Sequence, residues 1–268
     1  MTQNKDNLSA YEKAAQDGLD PRCIPIKLEE PAPEGAEIPY PDYSDEEHET
    51  WKILYKRQLE ILQERASQSF LEGVELMKFP EDRIPALKDV AVVLQKTTDW
   101  SIARVPGLLH EQDFFDFLGR RVFASTDYIR ARHELDYTPA PDLFHDIFGH
   151  TPMITLPSFA DFYQEFGKVA ARAKGADRRR LERIYWFTVE FGLIREQGQV
   201  KIYGNGILSS YKETLHCLTD QVEKKPFDLD VMSETEYDVW HLQPLLFVIE
   251  SFDQLQEEFF AWAGKNIR

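Results

Sequence analysis

Residues 137–154 read Tyr-Thr-Pro-Ala-Pro-Asp-Leu-Phe-His-Asp-Ile-Phe-Gly-His-Thr-Pro-Met-Ile, which sets His145 and His150 five positions apart in an apolar stretch. A lone histidine on an apolar face is usually a satisfied core residue. Two so close, flanked by Asp142 and Asp146, point toward a metal ion. The pattern is not the His-Glu-x-x-His helix of zinc proteases, whose histidines are i and i+4. On a regular α-helix five residues turn the second side chain ~140° from the first. Both rings reach one ion only if the helix ends or distorts, so the backbone is expected to leave α geometry around Gly149-His150. A straight helix through 142–154 with diverging rings would remove the metal reading.

Two neutral imidazoles do not neutralise a divalent ion, so a carboxylate is needed. Glu190 is the candidate, because it sits in the apolar run Tyr-Trp-Phe-Thr-Val-Glu-Phe-Gly. A carboxylate there must pair, bind metal or take up a proton. The plain alternative is a salt bridge to a core arginine. Two histidines and one carboxylate form the facial triad of non-haem iron(II) oxygenases. The two cysteines, Cys23 and Cys217, are too few for a zinc–thiolate site or a disulfide framework. Cys217 reads as a buried structural thiol and Cys23 as incidental. Metal-bound imidazoles need acceptors for their other ring nitrogen, and Asp142, one helical turn before His145, is placed to supply one.

The composition bounds what surrounds this site. The chain has 268 residues, 43% hydrophobic and 13% aromatic, enough for one sizeable core. Lys plus Arg total 31 against 47 Asp plus Glu, a formal charge of -16. Such acidity argues against nucleic acid or an anionic membrane as partner. Met1 to Asp20 is polar without an apolar leader, and no apolar run approaches the ~18 residues of a membrane span. A cytoplasmic globular protein is expected.

The elements that must hold the site read as mostly α with a few short strands. Residues 1–43 form a proline-rich arm, either lying along the domain through Ile24, Ile26, Leu28, Ile38 and Tyr40 or disordered. Residues 44–268 form one domain. Ser44-Asp45-Glu46-Glu47 is a capping box that opens a long amphipathic helix through Trp51, Leu54, Tyr55, Leu59 and Leu62. Further helices are expected over Phe70 to Met77, Ala86 to Leu94 and Glu111 to Leu118, with a strand over Trp100 to Val105. A helix from Ser158 to Lys174 ends at Gly175. Another starts at Asp177 and runs through Phe191. Val200 to Tyr203, Gly204-Asn205-Gly206 and Ile207-Leu208 read as a hairpin. Helix returns at Lys212 to Cys217 and at Phe252 to Ala263.

Three ordered motifs resemble the pterin-dependent aromatic amino acid hydroxylases. They are Pro141-Asp142-x-x-His145-x-x-x-Gly149-His150-x-Pro152, the run Tyr185 to Gly192, and Tyr203-Gly204-x-Gly206-x-Leu208-Ser209-Ser210. The resemblance covers Pro80 to the C-terminus and is greatest to the bacterial phenylalanine 4-hydroxylases, which consist of the catalytic domain alone. It implies the catalytic-domain fold of that family. Iron(II) would be held by the catalytic residues His145, His150 and Glu190. Tetrahydropterin and O2 would react there to an iron-oxo oxidant that turns L-phenylalanine into L-tyrosine.

Carried over residue by residue, Arg130 matches the partner of the amino acid carboxylate, and Thr138, Trp186 and Ser209 match other substrate positions. Ser209 also matches the hydroxyl supporting the first histidine. Phe114 matches the ring that stacks on the pterin, and Gly107 and Leu109 the loop whose backbone bonds it. Tyr185 lies near the iron in the family without a settled role. Asp146 stands where animal members carry a glutamate that contacts the pterin; one methylene shorter, it suits contact through water. Trp186 and Val239 resemble phenylalanine rather than tyrosine hydroxylases. A tryptophan hydroxylase or a phenylalanine 3-hydroxylase is the nearest alternative. A zinc hydrolase with Asp146 as base, or a metal-free binding protein, is more distant. The regulatory domain and tetramerisation helix of animal members find no match, so a monomer or weak dimer is expected.

Overall fold

The computed structural model describes residues 20–136, 138 and 140–267. Met1 to Leu19, on which the reading of a polar start without an apolar leader rests, lie outside the described residues, as do Tyr137, Pro139 and Arg268. Helix α1, Asp45–Leu62, opens where the capping box requires: Ser44 Oγ accepts from Glu47 N, and the Glu47 carboxylate accepts from Ser44 N. It buries Trp51, Leu54, Tyr55 and Leu62. Ser67 caps α2, Gln68–Met77, and α3 spans Leu87–Thr98. Strand β1, Ser101–Arg104, is followed by α4, Glu111–Gly119, and by β2, Val122–Ser125. The two strands pair in parallel, Ser101 opposite Val122, which requires the crossover that α4 supplies. Nothing in the four buried residues of β2 signals a strand by itself; β1 makes it one.

The second half carries the irregularities that matter. His145–His150 is a π-helical segment running into α5, Thr151–Ile154. Helix α6 spans Pro157–Arg172 and α7 spans Ala176–Tyr185. A second π-helical segment, Trp186–Glu190, continues α7. Then come β3, Leu193–Glu196, β4, Gln199–Ile202, α8, Asn205–Leu208, and α9, Tyr211–His216. Strand β5, Glu223–Pro226, α10, Leu229–Glu234, β6, Leu245–Ile249, and α11, Phe252–Asn266, complete the order. The four-stranded sheet has the order β4-β3-β6-β5, with only β3 and β4 antiparallel. The fold is mostly helical with short strands, as expected, and among the described residues no helix is long and apolar enough to cross a membrane.

Three expectations need correction. The hairpin lies one strand earlier: β3 turns into β4 through Gln197 and Gly198, both at positive φ, the geometry of a two-residue hairpin loop. Gly204 is not a turn residue. A Cβ there would stand 2.4 Å from Gly192 N and 2.6 Å from Glu190 O, so it is glycine to let two backbones touch behind Glu190. Gly175 does not end α6, whose last residue is Arg172 and whose cap is the extended Ala173; at φ +56 it caps the start of α7 instead. Cys23 is fully buried rather than incidental, as is Cys217. In the segment before Ser44, Ile38 is buried and Ile26 and Leu28 pack on Val105, Leu109 and Phe117, whereas Ile24 is exposed.

Helices α4 and α6 cross closely because a Cβ on Gly167 would meet Gly119 N at 2.5 Å. Glu213 of α9 is buried and accepts the Gln243 backbone N–H at 3.0 Å through Oε1, while Oε2 has no hydrogen-bond partner. Burial therefore raises this carboxyl from 4.5 to about 7. Between those values the folded protein keeps a proton that the unfolded chain releases, so this group's contribution to stability declines as pH rises. Glu213→Gln removes the decline. In urea unfolding, the variant should gain up to about 3 kcal/mol on the parent between about pH 4 and about pH 8. A difference independent of pH would show that Glu213 is not held neutral.

Candidate metal centre and its cavity

A π-turn closes residue i onto i+5, so side chains five apart lie one above the other rather than diverging. That is how His145 and His150 meet: their Nε2 atoms are 3.1 Å apart. The second π-turn, closed by Phe191 N donating to Trp186 O at 2.8 Å, brings in Glu190. Its Oε1 lies 3.3 Å from His150 Nε2 and its Oε2 3.7 Å from His145 Nε2. For metal–ligand bonds of about 2.1 Å, neighbouring donors stand about 3.0–3.4 Å apart, so one divalent ion fits among the three.

The remote ring nitrogens suit that fit. Ser209 Oγ donates to Asn205 O at 2.9 Å, so its lone pair accepts the His145 Nδ1–H at 2.8 Å and His145 Nε2 keeps its own lone pair. At His150, Nδ1 faces the Asn205 amide nitrogen at 2.9 Å and the Tyr163 hydroxyl at 3.3 Å, and Asn205 Oδ1 has no partner. With a metal on Nε2 the ring proton sits on Nδ1, and a half-turn of the Asn205 amide presents Oδ1 to it. Phe123 of β2 stacks on the His150 ring at 4.7 Å and fixes its plane. Burial pushes the His145 imidazole down to about 4, leaving it neutral at physiological pH. Burial alone would raise Glu190, but His150, His145 and the Tyr185 hydroxyl outweigh it and hold the carboxylate below its usual range. Tyr185 also meets Tyr163 hydroxyl to hydroxyl at 2.7 Å.

Asp142 does not touch the His145 ring, contrary to expectation. Its carboxylate is paired with Arg130, Nε to Oδ2 at 2.8 Å and Nη2 to Oδ1 at 2.7 Å, and accepts the His145 backbone N–H at 3.1 Å. Both side chains are buried, and burial of Asp142 is outweighed by the guanidinium, which keeps the carboxyl low. The acceptor for the ring is Ser209. Asp146 is buried too; burial lifts its carboxyl to about 7 against the two bonds that Oδ2 accepts from Thr126, N at 2.8 Å and Oγ1 at 2.9 Å.

The triad opens into a cavity of about 560 Å³. Gly107, Leu109, Phe114 and Asp146 line it, as do Arg130, Thr138, Trp186 and Ser209, together with Tyr185 and Val239. Of the site residues read from the sequence only Asp142 stands outside its wall. Thr138 Oγ1 donates to Ala140 O at 3.2 Å. Trp186 is held between Phe191 at 4.4 Å and Tyr237 at 4.5 Å, and its indole N–H donates to Gln243 Oε1 at 3.0 Å. Gln243 Nε2 in turn donates to Asp238 O and His241 O, tying down the loop that carries Val239. Gln243, Asn205, Tyr163, Phe123 and Thr126 escaped the sequence reading. Their partners are distant in the chain, and no local pattern marks them.

The chain matches the model of the biopterin-dependent aromatic amino acid hydroxylases over residues 30–268. It is 41% identical over 230 residues to the phenylalanine-4-hydroxylase of Pseudomonas aeruginosa, covering 84% of this chain and 88% of that protein. The Chromobacterium violaceum phenylalanine hydroxylase structure with bound iron(III) and oxidised cofactor 7,8-dihydrobiopterin superposes with a TM-score of 0.81 at 42% identity, over 84% of this chain and 83% of that one. The Legionella pneumophila phenylalanine hydroxylase gives a TM-score of 0.81 at 38% identity, over 84% and 89%. The chain belongs to the biopterin-dependent aromatic amino acid hydroxylases.

Proposed function

We propose that this protein is an iron(II)- and tetrahydropterin-dependent phenylalanine 4-monooxygenase, converting L-phenylalanine and O2 to L-tyrosine. The observation that carries the reading is the convergence of His145, His150 and Glu190, two imidazole nitrogens and a carboxylate, at the wall of an aromatic cavity. Iron held there supplies, with the reduced pterin, the activation of oxygen toward an aromatic ring.

The chain's own residues do the rest. Arg130 spends Nε and Nη2 on Asp142, which fixes the guanidinium plane and leaves Nη1 for the amino acid carboxylate. Trp186, clamped by two rings and Gln243, holds the side of the cavity that receives the substrate ring, and Val239 gives it an apolar neighbour. Thr138 and Ser209 complete the substrate wall. Phe114 offers its ring and Gly107 and Leu109 their backbone to the pterin, with Asp146 Oδ1 outside the Thr126 bonds. Tyr185 holds a hydroxyl on Glu190. The apolar lining excludes water from a reactive oxidant.

The test is an aerobic assay of iron(II)-loaded protein with L-phenylalanine and a synthetic tetrahydropterin, products being separated by chromatography. Tyrosine that needs iron, pterin and oxygen together, and falls by at least about a hundredfold in Glu190→Ala, is expected. Hydroxytryptophan or meta-tyrosine as the main product would redirect the substrate, and hydrolysis by zinc-loaded protein without any hydroxylation would replace the reading. Ser209→Ala leaves the His145 Nδ1–H without its acceptor, so iron(II) affinity measured by chelator competition should fall about 10–100-fold; unchanged affinity would remove Ser209 from the metal's support. Light scattering should give a monomer or weak dimer, and an intact tetramer would contradict it.

A further inference from the structure

The pterin-side wall is not built by the family-matched residues alone. Residues 20–29 lie ahead of the match, which begins at residue 30. Yet Pro25 lines the cavity, and Ile26 forms a parallel bridge with Leu109: Ile26 N donates to Leu108 O at 2.9 Å, and His110 N donates to Ile26 O at 2.7 Å. In such a bridge the middle residue's own N–H and C=O point away from the partner strand. The segment thus aims the Leu109 peptide groups. Two residues on, Leu28 N donates to Asp113 Oδ2 at 3.1 Å, next to Phe114, and Ile26 and Leu28 pack on the cluster that Phe114 also touches.

The other end is latched to the substrate side. Arg22 places Nη1 3.1 Å from Glu134 Oε2 and bonds Glu134 Oε1 through Nη2, while Asp20 Oδ2 accepts Nη2 at 2.6 Å. Glu134 Oε2 accepts the Ala131 backbone N–H at 3.1 Å, one residue after Arg130. Between latch and bridge, Cys23 is fully buried, so the segment is seated and not draped.

We propose that residues 20–28 are a strap that positions the pterin-binding loop, with Ile26 setting Leu109 and Arg22 holding the strap against the Glu134 turn. The strap acts through the loop and Phe114 and itself carries no chemistry. The inference rests on the pterin role proposed above for Gly107, Leu109 and Phe114. Its consequence is selective: loosening the strap weakens pterin binding and leaves the binding of phenylalanine and of iron in place.

Two substitutions in the full chain test it. Ile26→Pro removes the N–H given to Leu108 O, and Arg22→Ala removes the latch; Arg22→Lys keeps the charge without the two-pronged fork. The first readout is calorimetric titration with 7,8-dihydrobiopterin, which reports binding without turnover. Each of the first two variants is expected to bind at least about fivefold more weakly, the worth of one net hydrogen bond, with Arg22→Lys in between. The second readout is the KM for tetrahydropterin, rising in step while the KM for phenylalanine and the melting temperature stay near the parent's. Dihydrobiopterin binding within about twofold of the parent in both variants overturns the strap. So does a loss that follows melting temperature and raises both KM values alike, since that is a merely structural role. A parent protein that fails to bind dihydrobiopterin would instead defeat the pterin reading itself.

Discussion

Three donor atoms must meet with their lone pairs inward, inside a body that otherwise excludes polar groups, and the rest of the structure follows from that requirement. A regular helix cannot meet it with histidines at 145 and 150. The backbone therefore adopts a π-turn, and a second π-turn delivers Glu190. Each turn gives up regular hydrogen bonding, so each must be over-determined by packing. Gly204 lets the chain press against the backbone of Glu190 and Gly192. Phe123 lies on His150, and Phe191 on Trp186, the pair that closes the second turn.

Burial makes every polar group near the ligands costly unless it is partnered. The structure answers with pairs that each complete a neighbour. Arg130 and Asp142 neutralise one another, and Asp142 also holds the His145 backbone N–H. Ser209 donates its hydroxyl hydrogen bond to Asn205 O and is thereby free only to accept, which fixes the tautomer of His145. Asn205 thus serves both histidines, one through its carbonyl and the other through its side chain. The polar groups that the metal needs are the same ones that make the metal-bearing segments fold.

How much of this was legible depends on whether the signal was local. The capping box at Ser44, the break from α geometry around Gly149-His150 and the carboxylate of Glu190 in its apolar run all follow from residues within a turn or two of each other. The partner of the His145 ring did not, because helical spacing favours Asp142 while Asp142 is claimed by Arg130, twelve residues earlier. The misplaced hairpin has the same cause. Two glycines around Asn205 look like a turn in sequence, and only the approach of Gly192 and Glu190 gives them their purpose. Strand β2 is invisible without β1, since its burial comes from pairing and not from alternation. The motif residues of the cavity were legible through family resemblance, whereas nothing local to Gln243 signals that it fixes Trp186, 57 residues earlier in the chain.

The net charge of -16 finds its place last. An amino acid zwitterion and a neutral pterin carry no net charge, so a negative field neither draws nor repels them, whereas it concentrates divalent cations. The surface can therefore be strongly acidic without opposing either organic ligand. Orientation must then come from within the cavity, where Arg130 supplies a fixed positive edge and the paired Asp142 keeps it from turning. On the function proposed above, recognition of the zwitterion rests on that oriented guanidinium and on aromatic walls held by hydrogen bonds from behind, so the residues behind the wall matter as much as those that face the ligand.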